Sequence, residues 1–338
     1  MTSIIPTILL CALPASGKSE TRAFLRSLPP EKTREEFHLG FPTVQLDDYP
    51  YVEIMRFFDA TLQELGEPRV FFYGEYYPFK DPRAWQALVE LINEDFADVT
   101  GKKIVETDTP TRWIISRINR ACESKEMGMV LGGLKPDILN HLSSKYDKHC
   151  AEFLKDRNAQ AAGYTDQKTV VIEFARGGGS GSDRYPDFFP LPEPFGYRGS
   201  LPHFSQQILT NSAVLYVKVT PEQSFAKNLS RAPPPGYQGS TDIFHCVSEV
   251  VMKFDYGCDD FEYQLKQSDK PSTFKIIPVN KYAPIYVPVG ILDNTEDLTT
   301  FCRWEVETWP KESIDKIYAA IRTAFQSLLL QYKAIHNE

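Results

Sequence analysis

The chain opens on a run from Ile4 to Cys11 that is apolar nearly throughout and does not alternate, the pattern of a parallel strand buried on both faces. Helical periodicity follows over 18–28 and must stop before Pro29-Pro30. Thr43 to Leu46 predicts a second short strand, running into Asp47-Asp48-Tyr49-Pro50. Residues 52–65, 83–96, 110–124 and 136–160 carry helical spacing, with Pro82 and Pro136 placed where proline opens a helix. Thr169 to Phe174 predicts a third buried strand, and the glycine-rich stretch after it, with the proline- and aromatic-rich run to Pro202, predicts a loop. Further on, the pattern gives a strand over 213–219 and a helix over 221–231, which the segment Ala232-Pro233-Pro234-Pro235-Gly236 cannot continue. A helix over 242–266, a strand over 285–291 and an amphipathic helix over 311–333 complete the order, and no repeat is visible.

Strands alternating with helices predict an α/β fold with a doubly wound parallel sheet covered on both faces. Residues 1–50 and 168–338 would form the core, and 51–167 a large, mainly helical insertion that binds substrate. A chain of 338 residues can bury about three quarters of its unfolded surface, so it needs no disulfide or metal staple.

A net charge of −8 argues against a general binder of nucleic acid or of anionic membranes, so any anionic ligand must be held by a local pocket. The six cysteines are scattered, without zinc spacing, and read as reduced thiols of a cytoplasmic protein. Ile4 to Leu13 lacks the basic flank of a signal peptide, and no run of 18 apolar residues would span a membrane. A homodimer is compatible with the sequence.

Chemistry concentrates in Ala12-Leu13-Pro14-Ala15-Ser16-Gly17-Lys18-Ser19, between the first strand and the first helix. A glycine-bearing loop there offers backbone N–H groups and the positive end of a helix to a nucleotide's phosphates. Lys18 would reach the β- and γ-phosphates, and the Ser19 hydroxyl would ligate Mg²⁺. The first position is Ala12, where glycine is usual.

Asp47 and Asp48 close the second strand, where open α/β sheets place their ligands, and suit either Mg²⁺ binding or acceptance of a proton from an attacking hydroxyl. Glu173 ends the third strand; a buried, unpaired carboxylate there would be costly, so an ionic partner, a metal or a substrate is expected. Arg176 would supply that partner or bind an anionic group of the substrate. Lys227 and Arg231 share one helix face, from which two cations would close over the transferring phosphoryl group. The aromatic segment Val70 to Phe79, with Tyr76 and Tyr77, would line a pocket for a flat or sugar-like substrate. Gly177 to Gly181 reads as a flexible linker, and segments 176–202 and 231–240 as flaps that order over bound substrates. The six histidines show no triad or metal-ligand spacing.

Four of these places, Ala12 to Ser19, Gln45 to Tyr49, Val170 to Glu173 and Lys227 to Arg231, resemble the P-loop kinases of small metabolites, especially the uridine kinase and phosphoribulokinase group. The resemblance implies ATP- and Mg²⁺-dependent phosphoryl transfer to a hydroxyl of a nucleoside or sugar-like metabolite. In that group Asp47 would be the general base, Glu173 the strand-ending acid and Arg231 a lid cation, with Lys227 in place of a second arginine. Ile291-Leu292-Asp293-Asn294 resembles the group's adenine-contacting loop, which would place Asn294 on the nucleotide. Two departures bear on the substrate: Phe174 stands where a glycine is common, and 50–165 is longer than the group's substrate region. The alternative is a nucleotide-binding module that regulates a protein partner.

Overall fold

A computed structural model of the protein describes residues 4–179, 189–231 and 246–336. Its first half runs β1 (Thr7–Cys11), α1 (Lys18–Ser27), α2 (Pro30–Phe37), β2 (Val44–Asp47), α3 (Tyr49–Glu64), α4 (Ala84–Thr100), α5 (Pro110–Glu123) and α6 (Pro136–Gly163). Then follow β3 (Val170–Phe174), α7 (Gly196–Ser200), α8 (Gln206–Thr210), β4 (Ser212–Lys218) and α9 (Pro221–Leu229). The chain ends with α10 (Glu249–Asp255), α11 (Phe261–Lys266), β5 (Thr273–Ile276), β6 (Ile285–Asp293) and α12 (Lys311–His336).

The strands form one six-stranded sheet in the order β2-β3-β1-β4-β6-β5. Every pairing is parallel except that of β5 with β6, so the fold is α/β with a mostly parallel sheet. Period-two alternation divides the strands between two cores. Leu9, Cys11, Ile172, Phe174, Val214 and Tyr216 pack on one face with α4, α7, α8 and α11. Ile8, Leu10, Val171, Leu215 and Val217 pack on the other, against Phe24 of α1, Phe37 of α2 and Ile317, Ile321, Phe325 and Leu328 of α12. Both faces are covered, as the continuous apolar strands require. From β1 the chain winds toward β2, and from β4 toward β6, so the sheet's switch point lies beside β1.

Segment 51–167 builds a third core from Tyr51, Ile54, Phe58 and Leu62 of α3, Leu88 and Leu91 of α4 and Ile114 and Ile118 of α5. Helix α4 belongs to two cores: Val89, Ile92, Phe96 and Val99 face the sheet, whereas Ala84, Ala87, Leu88 and Leu91 face the insertion. Inside the insertion lies a buried ionic network. Asp95 takes bonds from the Tyr51 hydroxyl at 3.0 Å, Arg117 at 2.7 Å and Arg157, while Asp98 receives Arg117 at 2.9 Å and Arg157 at 2.7 Å.

Three expectations need correction. The helix over 242–266 is two helices, α10 and α11, because at Cys258 the chain exchanges two backbone hydrogen bonds with Gly178, 2.9 and 3.0 Å, and leaves the helical path. For the same reason Gly177 to Gly179 is not a flexible linker: Gly177 packs so tightly that a Cβ would lie 2.4 Å from the Cys258 carbonyl oxygen. The run up to Pro202 contains the single turn α7, held by Asp260 accepting from the N–H groups of Tyr197 and Arg198. Of the expected flaps, 180–188 and 232–240 lie outside the described residues.

The network predicts a large local effect. Asp95→Ala leaves two buried guanidinium groups undercompensated and should cost about 3–5 kcal/mol, read as a lowered urea midpoint. A loss below about 1 kcal/mol, the range of an exposed pair, would show that the network contributes little.

Candidate functional site

The loop Ala12–Gly17 leaves the carboxyl end of β1 and delivers the chain into α1. Two residues in it have left-handed backbone, Ala15 at φ 55° and Gly17 at φ 102°. Gly17 also has no room for a side chain, since a Cβ would meet Thr299 Oγ1 at 2.4 Å and Asn294 Nδ2 at 2.8 Å.

Four of the loop's carbonyls are drawn back into the protein. Leu13 C=O accepts from Lys18 Nζ at 3.4 Å, Pro14 C=O from Ser224 Oγ at 2.7 Å and Ser16 C=O from Asn294 Nδ2 at 2.7 Å. Gly17 C=O receives both donors of Thr21 at 2.8 Å. In contrast, among the described residues no acceptor takes the backbone N–H of Ala15, Ser16, Gly17, Lys18 or Ser19. The buried Ser16 hydroxyl likewise has no partner. The result is a cradle of donors at the positive end of a helix, matched to an anion.

Lys18 is half-buried and makes no ion pair among the described residues. Burial lowers its pKa, and the charges of Glu173 and Asp47 act against that fall. Ser19, the next residue, is exposed, with its hydroxyl available to a metal or to water.

Register explains the acids. Asp47 lies opposite Glu173 across the β2–β3 ladder, and Leu10 of β1 lies opposite Glu173 on its other side. Three strand ends therefore converge beside the loop. Asp48, at the mouth of α3, does not cap the helix; it pairs with Arg176 at 2.7 Å. Glu173 is the partner of Arg22, a residue the sequence reading missed, and Arg22 also donates to Gln45. The expected partner, Arg176, is only 2% exposed and committed to Asp48, Ser200 Oγ at 3.0 Å and the Trp85 carbonyl. Arg176 therefore partners Asp48 and not Glu173, and each of the two acids carries an arginine partner.

Asp47 is the acid left over. Its Oδ1 accepts the Tyr49 N–H at 2.8 Å, and it enters no ion pair among the described residues. Asp47 itself is open to solvent, while Asp48 and Glu173 beside it are buried. Desolvation, then the charges of Asp48 and Glu173, push its pKa up to about 7.

Other expected residues sit elsewhere. Arg231 stays beside the loop but is bound to Glu20 of α1 at 2.8 Å, sharing that carboxylate with Arg303 at 2.6 Å. Burial works against the Glu20 charge, yet Arg231 and Arg303 prevail and its pKa is lowered. Lys227 pairs with Asp297 at 2.9 Å, away from Lys18's charge partners. Asn294 is fully buried and braces the loop from behind, through Ser16 and Thr299. Tyr76 and Tyr77 are 63% and 51% exposed on the tip of a hairpin and line no enclosed pocket. Phe71, Phe72 and Phe79 of that segment are core, anchored by Asp59 accepting three successive backbone N–H groups.

Among the described residues no group of three or more His, Cys, Asp or Glu forms a metal cage. No helix among the described residues is long and apolar enough to cross a membrane. Comparison with protein-family models, with curated proteins and with solved structures gives no match.

The raised pKa of Asp47 has a consequence for stability. The folded state holds this proton more tightly than the unfolded chain, so the carboxyl's contribution is complete below about pH 4 and is lost as pH rises through about 7. Asp47→Asn escapes that loss, and its melting temperature relative to wild type should climb between pH 5 and 8. A flat difference over that range would show an ordinary, unperturbed carboxylate.

Proposed function

We propose that this protein is a phosphotransferase that moves the γ-phosphoryl group of ATP, presented with Mg²⁺, to a hydroxyl of a small metabolite. The observation that carries the reading is the division of labour in loop 12–17: the carbonyls of Leu13, Pro14, Ser16 and Gly17 pinned inward and, among the described residues, N–H groups unclaimed and an ammonium without a carboxylate partner at the end of a central parallel strand. Such a site suits a polyanion, and the unneutralised carboxyl of Asp47 beside it suits a proton acceptor.

In this reading the donors of Ala15 to Ser19 and the Lys18 ammonium hold the β- and γ-phosphates and stabilise the charge spread over them as the bridging bond breaks. Bound Mg²⁺ would neutralise the same oxygens, held by them, by the Ser19 hydroxyl and by water. Asp47 takes the proton of the acceptor hydroxyl as its oxygen bonds to phosphorus, and ADP departs. A pKa near 7 is well matched to that task at neutral pH. Arg231, released from Glu20, is the cation nearest to hand for closing on the phosphates. A purely regulatory nucleotide module has no use for a proton acceptor at this place.

Nucleotide turnover with a panel of hydroxyl compounds tests the reading. Lys18→Ala should lower kcat/KM for ATP by about 10² or more, the scale of a lost charge contact to the transition state. Asp47→Asn should keep the ATP dissociation constant while lowering kcat by about 10² or more. In the wild type, kcat/KM for the acceptor should rise with pH through about 7, and the asparagine variant should lose that dependence. Turnover equal to wild type in both variants would overturn the assignment; a loss confined to ATP affinity in Asp47→Asn would recast Asp47 as a metal ligand.

A further inference from the structure

A second opening lies away from the phosphate loop. It is a cavity of about 460 Å³ between α4, the residues after α5, segment 202–206 and the connection from β5 to β6. No residue of 12–19 lines it, and neither does Asp47. A cavity of this size with a few converging polar groups is the usual seat of a small ligand.

Three side chains run across its wall. Lys125 Nζ donates to Glu90 Oε1 at 2.6 Å and lies 3.1 Å from His203 Nδ1. An ammonium has only donors, so Nδ1 accepts and the ring proton sits on Nε2. Burial, helped by the Lys125 charge, lowers the His203 pKa to about 4, so the imidazole is neutral at physiological pH. Acceptors beside this row are already engaged. Asn93 Nδ2 donates to Glu90 Oε2 at 3.1 Å and to the His203 carbonyl at 2.8 Å, and Asn93 Oδ1 accepts the Ser205 N–H at 2.9 Å. The Val279 N–H occupies the Pro202 carbonyl at 2.9 Å. Two donors are left over. The Lys125 side chain is only 8% exposed, yet its third N–H meets no acceptor among the described residues, and neither does the Nε2–H of His203. Burying a donor without a partner is costly, and a ligand that accepts from it removes the cost.

Charge and shape narrow the occupant. Glu90 and Lys125 cancel, His203 is neutral, and Lys281 is exposed and enters no ion pair among the described residues, which leaves a surplus of one positive charge. An amine would bring donors to donors, and a doubly charged phosphate would exceed that surplus beside Glu90. A carboxylate offers two acceptor oxygens and a single negative charge. Pro202, Pro278 and Val279 add apolar surface to the same cavity. We infer that this cavity is a second ligand site, which binds a small organic carboxylate with its charged end on Lys125 and His203 and its apolar body against Pro202, Pro278 and Val279. The inference is independent of the phosphotransferase reading.

Calorimetric titration of the full chain without nucleotide tests it, using benzoate, phenylacetate and hexanoate, with benzamide, benzylamine and inorganic phosphate as controls. At least one carboxylate should bind the wild type, and every control should bind about tenfold more weakly or not at all. The carboxylate's affinity should fall about tenfold or more in Lys125→Met, the size of a lost hydrogen bond to a charged group. His203→Asn keeps an acceptor for Lys125 but withdraws the outer donor, and should weaken binding too. His203→Gln returns a donor to the Nε2 position and should recover most of that loss. Lys18→Ala should bind the carboxylate as the wild type does. Circular dichroism confirms that each variant is folded, and should the methionine variant unfold, the two His203 variants decide. The inference is overturned if no carboxylate binds, if a control binds as tightly, or if folded Lys125→Met and His203→Asn bind as the wild type does. Loss of binding in Lys18→Ala would place the carboxylate in the phosphate loop and overturn it as well.

Discussion

The buried guanidinium of Arg176 is the joint on which the site is built. It leaves the end of β3 and meets Asp48 at the start of α3, Ser200 at the end of α7 and the Trp85 carbonyl at the start of α4. Sheet, insertion and covering turn thus share one cation, satisfied by partners from three directions as a buried charge must be. Its choice of Asp48 has a second effect. With Asp48 taken by Arg176 and Glu173 taken by Arg22, the third acid, Asp47, remains without a counter-ion among the described residues. The unpaired state of one carboxyl follows from the pairing of its two neighbours.

Around the loop a similar logic of exclusion operates. A chain turning sharply from strand to helix exposes donors and acceptors alike. Here Ser224, Asn294 and Thr21 occupy the carbonyls of Pro14, Ser16 and Gly17, while the N–H groups of Ala15 to Ser19 meet no acceptor among the described residues. Asn294 comes from the end of β6 and Ser224 from α9, so elements distant in sequence fix the polarity of six residues. Glu20, in the first turn of α1, complements the helix's positive end while gathering Arg231 and Arg303 nearby.

Much of this architecture was legible in the residues. Continuous apolar runs located β1, β3, β4 and β6, because strands buried on both faces have no polar positions to lose. The loop and its Lys-Ser were legible because the chemistry is local. Partner choice was not, since it depends on register. Nothing in the spacing of Glu173 and Arg176 shows that successive positions on a strand end point apart, so that the acid meets Arg22 and the arginine meets Asp48. The break between α10 and α11 was hidden for a related reason, as a pairing with Gly178, eighty residues earlier in the chain, overrides local helical spacing. Edge strand β5 carried a readable signal, Phe274 and Ile276 inward and Lys275 outward, but four residues are too few to outweigh their surroundings.

Helix α4 has one side against the sheet and another inside the insertion, and it carries the ionic network between them. A helix shared in this way is a weld and not a hinge. Heat or denaturant cannot detach the insertion without stripping the sheet of Val89, Ile92, Phe96 and Val99, so the two parts should lose their structure together. The same weld means that segment 51–167 cannot swing as a rigid body apart from the sheet.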